Sequence, residues 1–211
     1  MIKKEKNKSR FSIIGSFLII GATSVFLFYN IYNFYINRIE EKQAEEFINN
    51  PIVEDTPVIE ETTEEIKEEV KQTETYNYIG VLEIPKINFK RGFLKINDRN
   101  NNVNKNIQVL ENSAMPNIDN GLLVIAGHSG SGRVAFFKNL YKLKVKDEIF
   151  IYYENIKYVY EISTIYDESK DGTIAVDKKS DETILVLTTC SQTDDKKQLV
   201  IIAKQVNKLD Y

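Results

Sequence analysis

Apolar residues fall along the chain in two patterns, separated by a stretch that has few of them. From Phe11 to about Tyr35 they are nearly continuous, with Phe17-Leu-Ile-Ile and Val25-Phe-Leu-Phe-Tyr as the densest parts. A helical run of about 20 such residues matches the ~30 Å hydrocarbon core of a bilayer. Tyr29, Tyr32 and Tyr35 stand where an aromatic belt would lie. The pattern predicts a membrane-spanning helix over 11–35.

From Tyr76 the pattern changes to short apolar and β-branched runs bounded by polar turns. Tyr78–Ile84, Ile87–Leu94, Leu122–Ala126, Glu148–Tyr153, Lys157–Ile165, Thr183–Thr189 and Gln198–Val206 all have strand length and strand residues. Glu154-Asn155 between two of them reads as a tight hairpin turn. Short helices are predicted near Asn100–Asn106 and Val134–Tyr141. Many short strands with little helix predict an all-β barrel or sandwich over 76–211. No internal repeat is visible.

Charge separates the same segments. Residues 1–39 carry six Lys/Arg against one Glu, residues 40–75 three Lys against thirteen Asp/Glu, and the remainder 19 basic against 17 acidic residues. The basic stretch 1–10 ahead of the apolar run orients it with the N-terminus in the cytoplasm and the rest outside. The run exceeds the ~7–15 residues of a cleavable signal, and Ala22 and Ser24 lie too deep inside it for a good cleavage site, so an uncleaved signal-anchor is expected. Residues 36–75, rich in Glu, Thr and Lys, form an acidic linker. Its composition predicts disorder, with at most partial helix around Thr63–Val70. A spacer that holds the domain off the bilayer and a plain solvated linker are both compatible with it. The near-neutral remainder has no basic stripe for nucleic acid.

Only the candidate chemistry distinguishes this domain from other β-domains. The chain has one cysteine, Cys190, and one histidine, His128, each at the end of an apolar run. A lone cysteine forms no disulfide within its chain, so it is either inert in the core or free. The polar Ser191-Gln-Thr-Asp-Asp that follows places Cys190 at a strand exit, with a fixed direction and an open face, as a nucleophile requires. His128 sits between Gly127 and Ser129-Gly-Ser-Gly132, an open loop where backbone can approach a ligand. One His and one Cys build no metal site without several carboxylates, and no phosphate-cradling glycine loop carries the right Lys, so neither a metal nor a cofactor is expected.

Val186-Leu-Thr-Thr-Cys190 is similar to the Thr-Leu-x-Thr-Cys signature of sortases, the membrane-anchored transpeptidases of Gram-positive bacteria. Tyr78-Ile-Gly-Val-Leu-Glu-Ile-Pro-Lys-Ile87 resembles that family's opening strand, Ala126-Gly-His128 its histidine motif, and Phe136-Phe-Lys-Asn-Leu140 the helix after it. The resemblance covers the whole domain after the linker and implies a closed eight-stranded β-barrel. It implies Cys190 as nucleophile and His128 as general acid/base. An Leu-Pro-x-Thr-Gly-like sorting signal would be cut after Thr through a thioacyl intermediate and passed to an amine, such as a cell-wall precursor or a pilin lysine. The partners it implies are surface proteins carrying such a signal.

The family's Arg at the start of the strand after the cysteine is Gln198 here. Gln198 then gives a weaker, neutral donor, or Lys197 or Lys196 reaches in. Backbone N–H groups near Cys190, with Thr189, Ser191 or Gln198, are the expected oxyanion and substrate contacts. A cysteine peptidase using the same dyad with water as acceptor, and a barrel that only binds surface proteins, remain as alternatives.

Overall fold

The computed structural model describes residues 5–49 and 76–211. Most of the acidic linker, including Thr63–Val70, lies outside the described residues. The helix α1 runs over Glu5–Asn49, through the apolar run and fourteen residues into the stretch expected to be linker. Glu40, Glu41, Lys42, Gln43, Ala44, Glu45 and Glu46 are all good helix formers, which explains the extension. From Gly15 onward the helix is apolar and long enough to cross a membrane. Three of its polar side chains turn back onto its own carbonyls. Thr23 and Ser24 donate to the Ile20 carbonyl at 2.9 and 2.8 Å, and Asn30 donates to the Phe26 carbonyl at 2.7 Å. These donors are thereby satisfied within the helix, an arrangement compatible with hydrocarbon surroundings.

The strands are β1 (Gly80–Ile84), β2 (Phe89–Phe93), β3 (Gln108–Val109), β4 (Leu122–Ala126), β5 (Glu148–Tyr153), β6 (Ile156–Ser169), β7 (Ile184–Cys190) and β8 (Lys197–Asp210). They form one sheet in the order β2-β1-β5-β6-β8-β7-β4-β3. The result is a nearly closed eight-stranded barrel, open between β2 and β3. Neighbours are antiparallel except β4 and β7, which run parallel. Glu154 and Asn155, at φ 49° and 61°, make the left-handed two-residue turn that joins β5 to β6.

Alternation sorts the side chains. Leu185 and Leu187 of β7 face the barrel interior with Leu82, Phe93, Ile125 and Tyr160. Ile184 and Val186 face the other way with Val200 and Ile202 of β8, under Ile174 and Val176 of the β6–β7 segment. Burial on both faces is why β7 reads as a continuous apolar run rather than an alternating one.

Two expected helices are absent. Asn100–Asn106 is a string of turns, because its asparagines bond to distant backbone instead of allowing an i to i−4 ladder. Buried Asn101 donates to the carbonyls of Ile96 (3.0 Å) and Val109 (2.8 Å) and accepts from the Val109 N–H (2.8 Å). Buried Asn106 donates to the Gly92 carbonyl at 2.9 Å and accepts from Arg91. The stretch from Val134 contains only a 3-10 turn at Leu140–Lys142. There Phe137 and Leu140 both plug the core, and the Phe137 N–H bonds to the His128 carbonyl at 2.9 Å. The short β3 falls outside the predicted strands; two residues are too few to show a period.

Candidate active site

The parallel pairing of β4 and β7 brings the strand ends that lead into the two chemically distinctive residues side by side. Leu122 pairs with Ile184, and the register runs on to Ala126 opposite Thr188. The ladder ends there; the same register carried two residues further along each chain would set His128 opposite Cys190 on the same face of the sheet. Two hydrogen bonds lock these strand ends. The Gly127 N–H donates to the Thr188 carbonyl at 3.2 Å, and the buried Thr189 hydroxyl donates to the Gly127 carbonyl at 2.7 Å. Gly127 is required by close packing, since a Cβ there would lie 2.9 Å from the Phe137 ring. His128 and Cys190 are both partly exposed. Cys190 is a free thiol, and His128 Nε2 lies 3.1 Å from Asn104 Oδ1.

Cys190 pairs with Gln198 across the β7–β8 ladder, and Gln198 pairs with Glu168 across β8–β6. These three side chains form a row on one face. The Gln198 amide donates to Glu168 Oε1 at 3.0 Å and to the Thr173 carbonyl at 2.6 Å. Lys197, one position earlier on β8, points to the opposite face. The Ser191 N–H donates to the Lys197 carbonyl at 3.0 Å, and its hydroxyl donates to Asp167 at 2.8 Å. Lys196 is exposed.

Two residues at the site went unremarked in the sequence. Asn104 reaches His128 from the asparagine loop. Lys170, just past the end of β6, places Nζ 3.1 Å from Cys190 Sγ. The hydrogen bond to the thiol, and then the charge attraction, push the Lys170 ammonium above its ordinary value. No local motif marks either residue, since both depend on where long loops return. Along the same face, segment 170–183 borders a cavity of about 380 Å³ lined by Tyr166, Asp177, Glu182, Ile202 and Lys204 among others. Among the described residues no cluster could hold a metal ion.

A nearly closed β-barrel that presents one thiol and one imidazole at the ends of adjacent parallel strands defines a narrow class of protein. The family model for the sortase domain matches residues 82–206, more than half of the sequence, and the chain belongs to the sortase family. It is 26% identical over 123 residues to sortase A of Bacillus anthracis, a match covering 58% of this chain and 57% of that protein. The match thus spans little more than half the length of that curated relative. Among solved structures, it resembles sortase A from Corynebacterium diphtheriae in a lid mutant, at 25% identity and a TM-score of 0.56, covering 63% of this chain and 72% of that one. It also resembles a Clostridium perfringens sortase D5 transpeptidase, at 30% identity and a TM-score of 0.53, covering 62% of this chain and 79% of that one.

Proposed function

We propose that the chain is a membrane-anchored cysteine transpeptidase acting on surface proteins that carry a sorting signal of Leu-Pro-x-Thr-Gly type. The observation that carries this reading is the parallel β4–β7 pair within the sortase domain, whose adjacent ends lead directly into His128 and Cys190.

The Cys190 thiolate attacks the carbonyl carbon after Thr, and the C=O electron pair moves onto oxygen. As the tetrahedral intermediate collapses, the C–N bond breaks and His128 protonates the departing amine. The thioester is then resolved by an amine, from a cell-wall precursor or a pilin lysine. The helix α1 anchors the protein with residues 1–10 in the cytoplasm, and residues 36–75 tether the domain 76–211 outside.

Full-length protein in detergent, incubated with sorting-signal peptides and a panel of amines and read by mass spectrometry, tests the proposal. A Cys190-linked acyl adduct that passes to an added amine is expected. Hydrolysis without transfer under saturating amine would replace the transpeptidase by a peptidase, and the absence of any adduct would leave a binding domain.

A further inference from the structure

The position at the start of β8 where the resemblance leads one to expect a cationic donor holds Gln198, a neutral one. Both amide hydrogens of Gln198 are engaged, one on Glu168 and one on the Thr173 carbonyl. Two other groups around the thiol are engaged as well. The Thr189 hydroxyl is on the Gly127 carbonyl and the Ser191 N–H is on the Lys197 carbonyl. Lys170, by contrast, has its Nζ directed at the sulfur, 3.1 Å away.

Its backbone gives Lys170 a defined place. The Lys170 N–H donates to the Lys196 carbonyl at 2.9 Å, extending the β6–β8 ladder one step beyond Ser169 opposite Lys197. Two positions after Glu168, its side chain falls on the face that carries Glu168, Gln198 and Cys190. The turn that follows is tied back to β8. Asp171 Oδ1 accepts from the Thr173 N–H at 3.0 Å and from the Thr173 hydroxyl at 2.6 Å, and the Thr173 carbonyl accepts from Gln198.

We propose that Lys170 supplies the positive charge at the Cys190 sulfur from the far side of β8, and that Gln198 serves as the strut that holds the Lys170 turn in place. In the resting site the ammonium donates a hydrogen bond to the Cys190 sulfur. In the acyl-transfer step, which rests on the transpeptidase reading above, the same ammonium donates a hydrogen bond to the oxyanion formed as the S–C bond forms and the carbonyl pair moves to oxygen. The Lys170 proton is not transferred; the proton for the leaving amine comes from His128. A charged donor is about twice as strong as a neutral amide in this place. Lys170 is exposed, so its influence is screened by salt, unlike that of a buried guanidinium. The other titratable groups facing this region are His128 from the loop after β4, Glu168 from β6 and Asp195 from the β7–β8 turn, the last favouring the charged form of Lys170.

Alkylation of Cys190 by iodoacetamide tests the pairing without any peptide substrate. Full-length parent protein, Lys170→Ala, Lys170→Arg and the same-segment control Lys178→Ala are compared at neutral pH by mass spectrometry. Lys170→Ala is expected to slow alkylation about threefold or more at low salt, with the gap narrowing in high salt. Lys170→Arg and Lys178→Ala should stay near the parent. Alkylation of Lys170→Ala at the parent rate overturns the proposal.

The role of Gln198 is read from a double-mutant cycle. Gln198→Ala should slow alkylation alone but add nothing to Lys170→Ala, and fully multiplicative effects would overturn the strut. With sorting peptide, Lys170→Ala should lower kcat/KM on the order of tenfold, below the 10²–10³ of a buried oxyanion donor. Unchanged peptide processing in Lys170→Ala sinks the Lys170 role in acyl transfer and leaves the transpeptidase standing. Lys170-dependent alkylation in a protein that processes no peptide upholds the ion pair and sinks the transpeptidase.

Discussion

Asn104 Oδ1 and His128 Nε2 lie 3.1 Å apart. With the amide oxygen accepting, this contact favours the tautomer that carries hydrogen on Nε2, and under the transpeptidase reading Nδ1 would handle the reacting proton. Asn104 is held by its own loop, its N–H donating to Asn102 Oδ1 at 2.9 Å. Asn104→Ala should lower kcat for thioester formation on the order of tenfold, with little change in KM. Asn104→Asp keeps the acceptor and should retain most of the rate. Steady-state kinetics on both variants checks this, and a pure KM effect would count against a positioning role.

Gly127 lies between the core and His128, and a Cβ there would meet Phe137 Cδ2 at 2.9 Å. Gly127→Ala should therefore destabilise the domain by about 1–3 kcal/mol, the range for overpacking. Thermal melts should show a lower Tm, and Phe137→Leu in the same chain should return part of the loss.

The asparagine loop depends on Asn101, whose side chain makes three hydrogen bonds to the backbone of Ile96 and Val109. Asn101→Ala leaves those buried groups unmatched and should lower stability by about 1–3 kcal/mol. Because Asn104 rides on the same loop, peptide processing should fall as well. Urea unfolding and turnover measured on one preparation test both halves.

Acid should loosen the 171–183 segment before the barrel. The Lys204 ammonium, 2.6 Å from Glu182, holds that carboxyl below the usual carboxylate range, and hydrogen bonds from Thr173 hold Asp171 below it. Both values are lower folded than unfolded, so each group adds stability above the ordinary carboxylate value, and that stability is lost as pH falls through the depressed folded value. Hydrogen exchange across 171–183 should rise as pH falls below about 4, and Lys204→Met should flatten the response.

Seven of the eight strands were legible because each contains a run long enough to show its period. β4 and β5 match their predicted bounds, while β6 and β8 run longer than predicted. Their extensions are mostly polar or charged, as at Asp167–Ser169 and Asn207–Lys208, where ladder hydrogen bonds rather than burial hold the chain extended. Cys190 and His128 were legible as unique residue types at strand exits. Their neighbours Asn104 and Lys170 were not. Each belongs to a residue type that is abundant in this chain, and each reaches the site through tertiary pairing that leaves no mark on local spacing. The asparagine loop misleads for a related reason, since turn-forming residues can also cap a helix and only the buried bonds of Asn101 and Asn106 decide between the two.

The parallel β4–β7 pair also sets an order in time. The contact between Gly127 and Thr189 joins positions 62 residues apart, and all of β5 and β6 lies between them. Pairings of such long sequence separation form late in folding, after the local hairpins have closed. Cys190 and His128 therefore come to neighbouring strand ends only when the chain beyond β6 has docked. Under the transpeptidase reading, a partly made or misfolded copy carries an isolated cysteine and an isolated histidine, and would have no assembled acylating centre before its barrel is complete.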